Sequence, residues 1–253
     1  MKQFLKSKGL KEKSIKTYIS IIDKVTKKLG KKFTEKQLED LFTTLNLQPS
    51  TYNLYRAVMN FYTKKELGYE IKFSKAKQNK FLPTEVTKEE FEIFLSTIPN
   101  KKHILGFRLM YKSGLRVNEV VNLKKHNLKL DELTVRVRGK GSKDRYTILN
   151  KSLVNELREF KTDENNPYLF QNNKTHITTK TFQERLKKAK IDSKLTKKFT
   201  CHSFRHSFAI NLVNQGVDID IIKKMMGHAS LRTTQVYLQC RTINLTKIAE
   251  RLS

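Results

Sequence analysis

Apolar residues recur along most of this chain at the spacing of helices. Ile15, Tyr18, Ile19, Ile22, Val25 and Leu29 line one face of an amphipathic segment, which Gly30 ends. Thr34 and Gln37 carry the signature of a capping box opening a short helix toward Leu45. Pro49-Ser50-Thr51 opens another, with a stripe of Tyr52, Tyr55, Val58, Met59 and Tyr62 running toward Gly68. An aromatic stripe at that spacing reads as core rather than as a base-stacking surface. Residues 1–70 therefore predict a small all-helical bundle. Across residues 71–86 the periodicity gives way to "IKFSKAKQNKFLPTEV", a basic linker and the expected domain boundary.

A second capping box, Thr87 with Glu90, starts a helix carrying Phe91, Phe94 and Leu95. His103 to Ser113 repeats the apolar pattern and stops at Gly114; Val117 to Leu123 begins the next helix. Arg116 sits at that junction, where a cation opposes the helix dipole, a conflict expected where function overrides stability. Pairing with Glu119 one turn on is compatible with this. The clear β signal is the alternation from Leu133 to Arg138, followed after "KGSKD" by "RYTILN". It predicts a hairpin with Lys140 on a tip between Gly139 and Gly141; the phosphate-cradling P-loop spacing is absent. Helices follow over Ser152–Phe160, Thr179–Lys190 and His202–Asn214, the last burying Phe204, Phe208, Leu212 and Val213. Ile219, Ile222 and Met226 bury the next, Gly227 stops it, and Leu231–Gln239 carries Tyr237. Residues 242–252 predict a short amphipathic tail helix. The fold class is mainly α with a small β-hairpin or sheet.

Charge sharpens this picture. Fifty-two Lys and Arg against 24 Asp and Glu give 253 residues a net charge of +28. A domain this basic repels itself unless an anion binds, and nucleic acid is the leading partner. Lys13, Lys16, Lys24 and Lys27 fall off the apolar face of the first helix and become candidate DNA-binding residues. No run approaches the ~18 apolar residues of a membrane span, and no secretory signal is visible, so no membrane partner and a cytoplasmic, nucleoid-associated location are expected. Two cysteines are too few for a disulfide framework.

The candidate chemistry concentrates in "TCHSFRHSFAINLVNQGVDIDIIKKMMGHASLRTTQVY". Cleaving a phosphodiester requires neutralising the phosphate, an in-line nucleophile and a proton for the leaving oxygen. Arg116 and Arg205 can supply bidentate guanidinium contacts. His202 and His228 can donate hydrogen bonds, and His202 can assist deprotonation of Tyr237, the candidate nucleophile. A cationic pocket is expected to pull that hydroxyl below its ordinary pKa of about 10. Lys140 is the candidate general acid. Cys201, His202 and His206 lack a second ligand pair at zinc-finger spacing, so neither a metal nor another cofactor is expected. Taken alone, Tyr237 reads better as a core tyrosine than as a nucleophile; the other motifs of the chain turn the reading.

The segments "SGLRVNEV", "GKGSKDR", "HSFRHSFA", "MGHAS" and "TTQVY" together resemble the tyrosine site-specific recombinases, the phage integrase and Xer-type family. The resemblance covers residues 84–253. It implies a mixed α/β catalytic domain over 87–253 behind a helical N-terminal core-binding domain. It further implies that Arg116, Lys140, His202, Arg205 and His228 activate the phosphate, that Tyr237 forms a covalent 3′-phosphotyrosyl bond, and that Glu119 supports Arg116. Rejoining then needs no ATP. The expected partners are double-stranded DNA at a specific core site and copies of this chain, four on two duplexes, linked through the 242–252 tail. The short N-terminal region leans toward a simple Xer-like recombinase. A type IB topoisomerase-like relaxase and a non-catalytic DNA-binding accessory factor are the alternatives.

Overall fold

The computed structural model describes residues 1–77, 82–138, 144–172 and 175–240. The chain divides into two compact units, Met1–Lys80 and Phe81–Ser253.

The first unit is helical: α1 (Lys2–Ser7), α2 (Glu12–Leu29), α3 (Glu35–Thr44) and α4 (Pro49–Tyr62), the last running into a π turn at Thr63–Leu67. The sequence pattern showed α2 but not α1, which is separate and buries Leu5. Thr34 and Gln37 cap α3 reciprocally, as their spacing predicts. Ile21, Ile22 and Val25 of α2 pack with Leu38 and Phe42 of α3 and with Val58 and Met59 of α4.

The expected 71–86 linker is not free along its length. Ile71 joins the first core. Asn60 Oδ1 accepts from the Ile71 N–H at 2.7 Å, Asn53 exchanges hydrogen bonds with both backbone groups of Ala76, and Arg56 Nε donates to the Phe73 carbonyl at 2.6 Å. Side-chain groups of α4 thus satisfy this backbone, which is why it shows no periodicity of its own. At the other end, Val86 is buried in the second unit and its N–H donates to Ser207 Oγ at 2.8 Å.

The second unit contains α5 (Lys88–Ser96), α6 (Lys101–Ser113), α7 (Val117–Val121), strands β1 (Leu128–Lys129), β2 (Thr134–Val137) and β3 (Arg145–Ile148), then α8 (Lys151–Glu159), α9 (Thr179–Asp192), α10 (Cys201–Asn214), α11 (Ile219–Met226), α12 (Leu231–Gln235) and a 3₁₀ turn over Val236–Cys240. Its core is aromatic. Phe204 of α10 meets Phe91 edge-on at 5.2 Å and Phe107 of α6 at 5.7 Å, and Phe182 of α9 meets Phe107 at 5.2 Å. Gly114 closes α6 with φ +67°, and a Cβ there would lie 2.3 Å from Phe208, so only glycine permits this approach to α10.

The predicted hairpin is two strands of an antiparallel three-stranded sheet, ordered β1-β2-β3. Strand β2 turns Val135 and Val137 inward, as alternation predicts. Strand β3 inverts that rule. The register sets Val137 against Arg145 and Val135 against Thr147, so the polar residues of β3 share the inner face. Tyr146 and Ile148 face out, 53% and 41% exposed. Thr147 Oγ1 donates to the Ser113 carbonyl at 2.9 Å. The glycine-lysine tip, with Lys140, lies outside the described residues, as does the expected tail helix 242–252. The expected helix over Leu231–Gln239 is instead α12 followed by the 3₁₀ turn, which carries Tyr237.

Candidate active site

Four of the candidate residues come from α10 and the segments around it. Thr200 caps α10: its hydroxyl accepts from the His202 N–H at 3.2 Å and its carbonyl from the Ser203 N–H at 2.9 Å. Fewer backbone donors are left for an anion at this end than a bare helix start would offer. His202 stands exposed here, and Arg205, one turn further in, is only 3% exposed. Arg205 uses Nη1 and Nη2 to donate to the carbonyls of Gly114 and Met226, the ends of α6 and α11. It thereby fastens two helix C-termini, where carbonyls lack helical partners and a cation is favoured.

Arg116 is the residue preceding α7. Glu119, one turn on, accepts from the Arg116 N–H at 2.8 Å and from its Nη1 at 2.9 Å. The carboxylate therefore reconciles the arginine with the helix start, placing a negative charge in the first turn. Glu119 also faces Arg205 Nη1 at 3.9 Å.

Its strongest partner was missed by the sequence reading. Arg145, on the inner face of β3, donates Nη1 and Nη2 to the two Glu119 oxygens at 2.8 and 2.7 Å, and Nε to the Met225 carbonyl at 2.7 Å. An arginine that opens a strand after a basic loop reads as a surface residue; the pairing register alone buries it. Burial opposes ionisation of Glu119, but the Arg145 hydrogen bonds and charge, the Arg116 N–H and Arg205 outweigh it and hold the carboxyl below its ordinary range. Three guanidiniums thus surround one carboxylate, leaving an unbalanced positive site. Burial, with Arg116 and Arg145, pulls Arg205 down to about 9, which leaves it cationic at neutral pH.

Gly227 ends α11 at φ +60° and His228 follows. His228 Nδ1 pairs with the buried Thr234 hydroxyl at 2.9 Å, and its ring stacks on Tyr237 with centroids 6.2 Å apart. Burial and the charges of Arg205, Arg116 and Arg145 pull His228 down to about 4.

Tyr237 is 3% exposed and packs with Phe208, Ile222 and Met226. It is thus a core tyrosine and a member of the site at once. Its hydroxyl is hydrogen-bonded to His206 Nδ1 at 2.9 Å. The sequence reading gave that partnership to His202 and set His206 aside; residue 206 is the one that reaches the hydroxyl. The expected lowering of the Tyr237 pKa is also corrected. Burial raises it, and the opposing charges of Arg205 and Arg116 only reduce the rise.

The structure therefore brings Arg116, Glu119, Arg205, His228 and Tyr237 together, adds Arg145 and His206, and leaves His202 at the rim. Among the described residues no group of three His, Cys, Asp or Glu side chains is arranged to hold a metal ion. No helix among the described residues is long and apolar enough to cross a membrane. In the first unit, Lys13, Lys16, Lys24 and Lys27 are all exposed. Lys16, Lys24 and Lys27 line a shallow groove of about 450 Å³ with Lys2 from α1, beside the acids Glu12 and Asp23.

Known proteins resemble this chain in sequence and fold. Over 187 residues the chain is 37% identical to the tyrosine recombinase XerA of Pyrococcus horikoshii, covering 71% of this chain and 65% of that protein. It is 38% identical over 179 residues to XerA of Thermococcus kodakarensis, covering 67% and 63%. The chain thus spans just under two thirds of these relatives' length. A crystal structure of XerH site-specific recombinase bound to palindromic difH substrate, a post-cleavage complex, superposes with a TM-score of 0.75 at 25% identity, covering 93% of this chain and 79% of that one. A lambda integrase dimer bound to a COC′ core site shares the fold at TM-score 0.76 and 16% identity, over 93% and 92%. Residues 85–242, the stretch that supplies every side chain of the arginine–tyrosine pocket, match the model of the phage integrase family, and the chain belongs to that family.

Proposed function

We propose that this protein is a site-specific DNA recombinase that cuts and rejoins strands through a covalent 3′-phosphotyrosyl intermediate. The observation that carries the reading is the placement of Tyr237 in the field of both Arg205 and Arg116, against the ring of His228. A phosphodiester drawn in by the arginines meets the hydroxyl that attacks it. Arg116 and Arg205 hold the non-bridging oxygens, with His202 and His228 donating further hydrogen bonds. Glu119 fixes Arg116. Lys140 protonates the leaving 5′-oxygen. The Tyr237 ester conserves the energy of the broken bond, so neither ATP nor a metal enters the reaction.

In the same proposal the helical unit binds the duplex through Lys13, Lys16, Lys24 and Lys27. Four copies assemble on two duplexes through the tail 242–252. The protein then acts in the cytoplasm, on the nucleoid. Recombination is preferred to relaxation of supercoils because the relatives similar over most of the catalytic unit are named recombinases.

The test is covalent trapping. The chain is incubated with a pool of nicked duplexes of randomised sequence, and DNA attached to protein is recovered and sequenced. A tyrosine-linked adduct at a shared sequence is expected, and none with Tyr237→Phe. An adduct that survives Tyr237→Phe, or none with the unaltered chain, overturns the reading. Recombination between two copies of the recovered site, rather than unselective relaxation, separates it from the relaxase alternative.

A further inference from the structure

The reaction proposed above, on which this inference rests, leaves the proton of the nucleophile without a destination. We propose that His206 is the general base: its Nδ1, 2.9 Å from the Tyr237 hydroxyl, takes the proton as that oxygen attacks phosphorus. The distance falls within the reach a proton-transfer partner requires. Burial keeps Tyr237 protonated, so its hydroxyl has a proton to donate. Burial, His202 and Arg205 pull His206 down to about 4, so at neutral pH its ring is uncharged and Nδ1 can accept.

The groups facing this ring come from several elements. His202 and Arg205 lie on its own helix, Tyr237 on the 3₁₀ turn, and His228 after α11, close enough to feel the charge of His206. All but Tyr237 are cationic or can become so, which makes His206 a weak base in the empty site. An entering phosphodiester changes that balance. Its negative charge offsets Arg116 and Arg205 and raises the proton affinity of His206 at the moment a base is needed.

The step balances as follows. A lone pair of Tyr237 Oη forms the new O–P bond, and the Oη proton passes to His206 Nδ1. The P–O5′ bond breaks with its electron pair on O5′, which is protonated by a different group, Lys140. In rejoining, the 5′-hydroxyl attacks the phosphotyrosine and His206 returns the proton to Tyr237. One residue serves each oxygen, and the two do not compete.

The experiment uses the full chain on a nicked duplex of the trapped sequence. The scissile link carries either the normal 5′-oxygen or a 5′-bridging sulfur, which leaves without protonation. In His206→Asn, the Asn Oδ1 can stand where Nδ1 stood and hold the hydroxyl without accepting its proton. Adduct formation should fall about 100-fold or more in His206→Asn and His206→Ala alike. The loss should persist on the sulfur substrate, whereas sulfur should rescue Lys140→Ala. The rate of both His206 variants should rise with pH, as hydroxide replaces the base. Wild-type rates in His206→Asn would make the contact one of positioning only and overturn the proposal, as would rescue of the His206 variants by sulfur. The sulfur-to-oxygen rate ratio and the pH slope are taken within one variant, so a reduced folded fraction does not alter them. An unaltered chain that forms no adduct overturns the nucleophile reading and the base with it; an adduct that forms normally without His206 overturns the base alone.

Discussion

Arg145 and Glu119 form a two-pronged ion pair, 2.8 and 2.7 Å, between the first residue of β3 and the first turn of α7. Both side chains are almost wholly buried. The pair ties the sheet to the helix start that presents Arg116, while Arg145 Nε reaches the end of α11.

Removing one partner of a buried pair strands the other. Arg145→Ala should therefore destabilise the second unit by about 3–5 kcal/mol. Arg145→Lys keeps the charge but not the fork, and should fall between wild type and Ala. Urea unfolding gives the first comparison. Rates of adduct formation at a temperature where all variants are folded give the second, and should fall in the same order because Glu119, which holds Arg116, loses its tie to the sheet.

Gly227 and Gly216 separate backbone strain from disturbance of the site. Both have positive φ, +60° and +80°. A Cβ on Gly227 would lie 2.7 Å from Arg145 Cδ, while nothing lies within 4 Å of one on Gly216. Each Ala substitution should cost about 1–2 kcal/mol for the left-handed backbone. Only Gly227→Ala should also slow cleavage, by displacing Arg145. Equal cleavage by the two variants would count against the Arg145 role.

Acid should weaken the fold before the carboxylates titrate. His206 and His228 are held down to about 4 from an ordinary 6.5. Between those values the unfolded chain takes up protons that the folded site refuses. Stability is therefore full above the unfolded value and is lost as pH falls toward 4. The urea midpoint should be lower at about pH 5 than at about pH 7.5. Replacing both histidines by Asn should flatten the difference; an unchanged slope would show that other groups set it.

The lysine groove of α2 makes a prediction that the active site does not. Lys16→Ala with Lys24→Ala should reduce the slope of log affinity against log salt by about 2 on any duplex. The rate of cleavage at saturating DNA should be little changed. An unaltered slope would leave these lysines as solvated surface.

Most of the helical frame was legible because its signals are local. Thr34 with Gln37 and Thr87 with Glu90 form the capping boxes their spacing predicts. Gly114 and Gly227 end α6 and α11 in the left-handed conformation that glycine tolerates. What was not legible depends on register and on contacts distant in sequence. Arg145 lies inward because Val137 is its cross-strand partner. His206 reaches a hydroxyl 31 residues away, whereas His202, in the same segment, faces out. The direction of the Tyr237 shift was misread for a related reason: a sequence shows the cations near a group but not how deeply the group is buried.

Three arginines around one carboxylate have a consequence for how the protein persists. In folding terms the pocket is two counter-ions short, and the like charges of Arg116, Arg145 and Arg205 push against the packing that holds them together. Under the proposed function, a DNA phosphate seated among them supplies one of the missing charges. A duplex bound as proposed should then act as a stabilising ligand, raising the melting temperature by mass action. The second unit should resist proteolysis best while it is holding DNA.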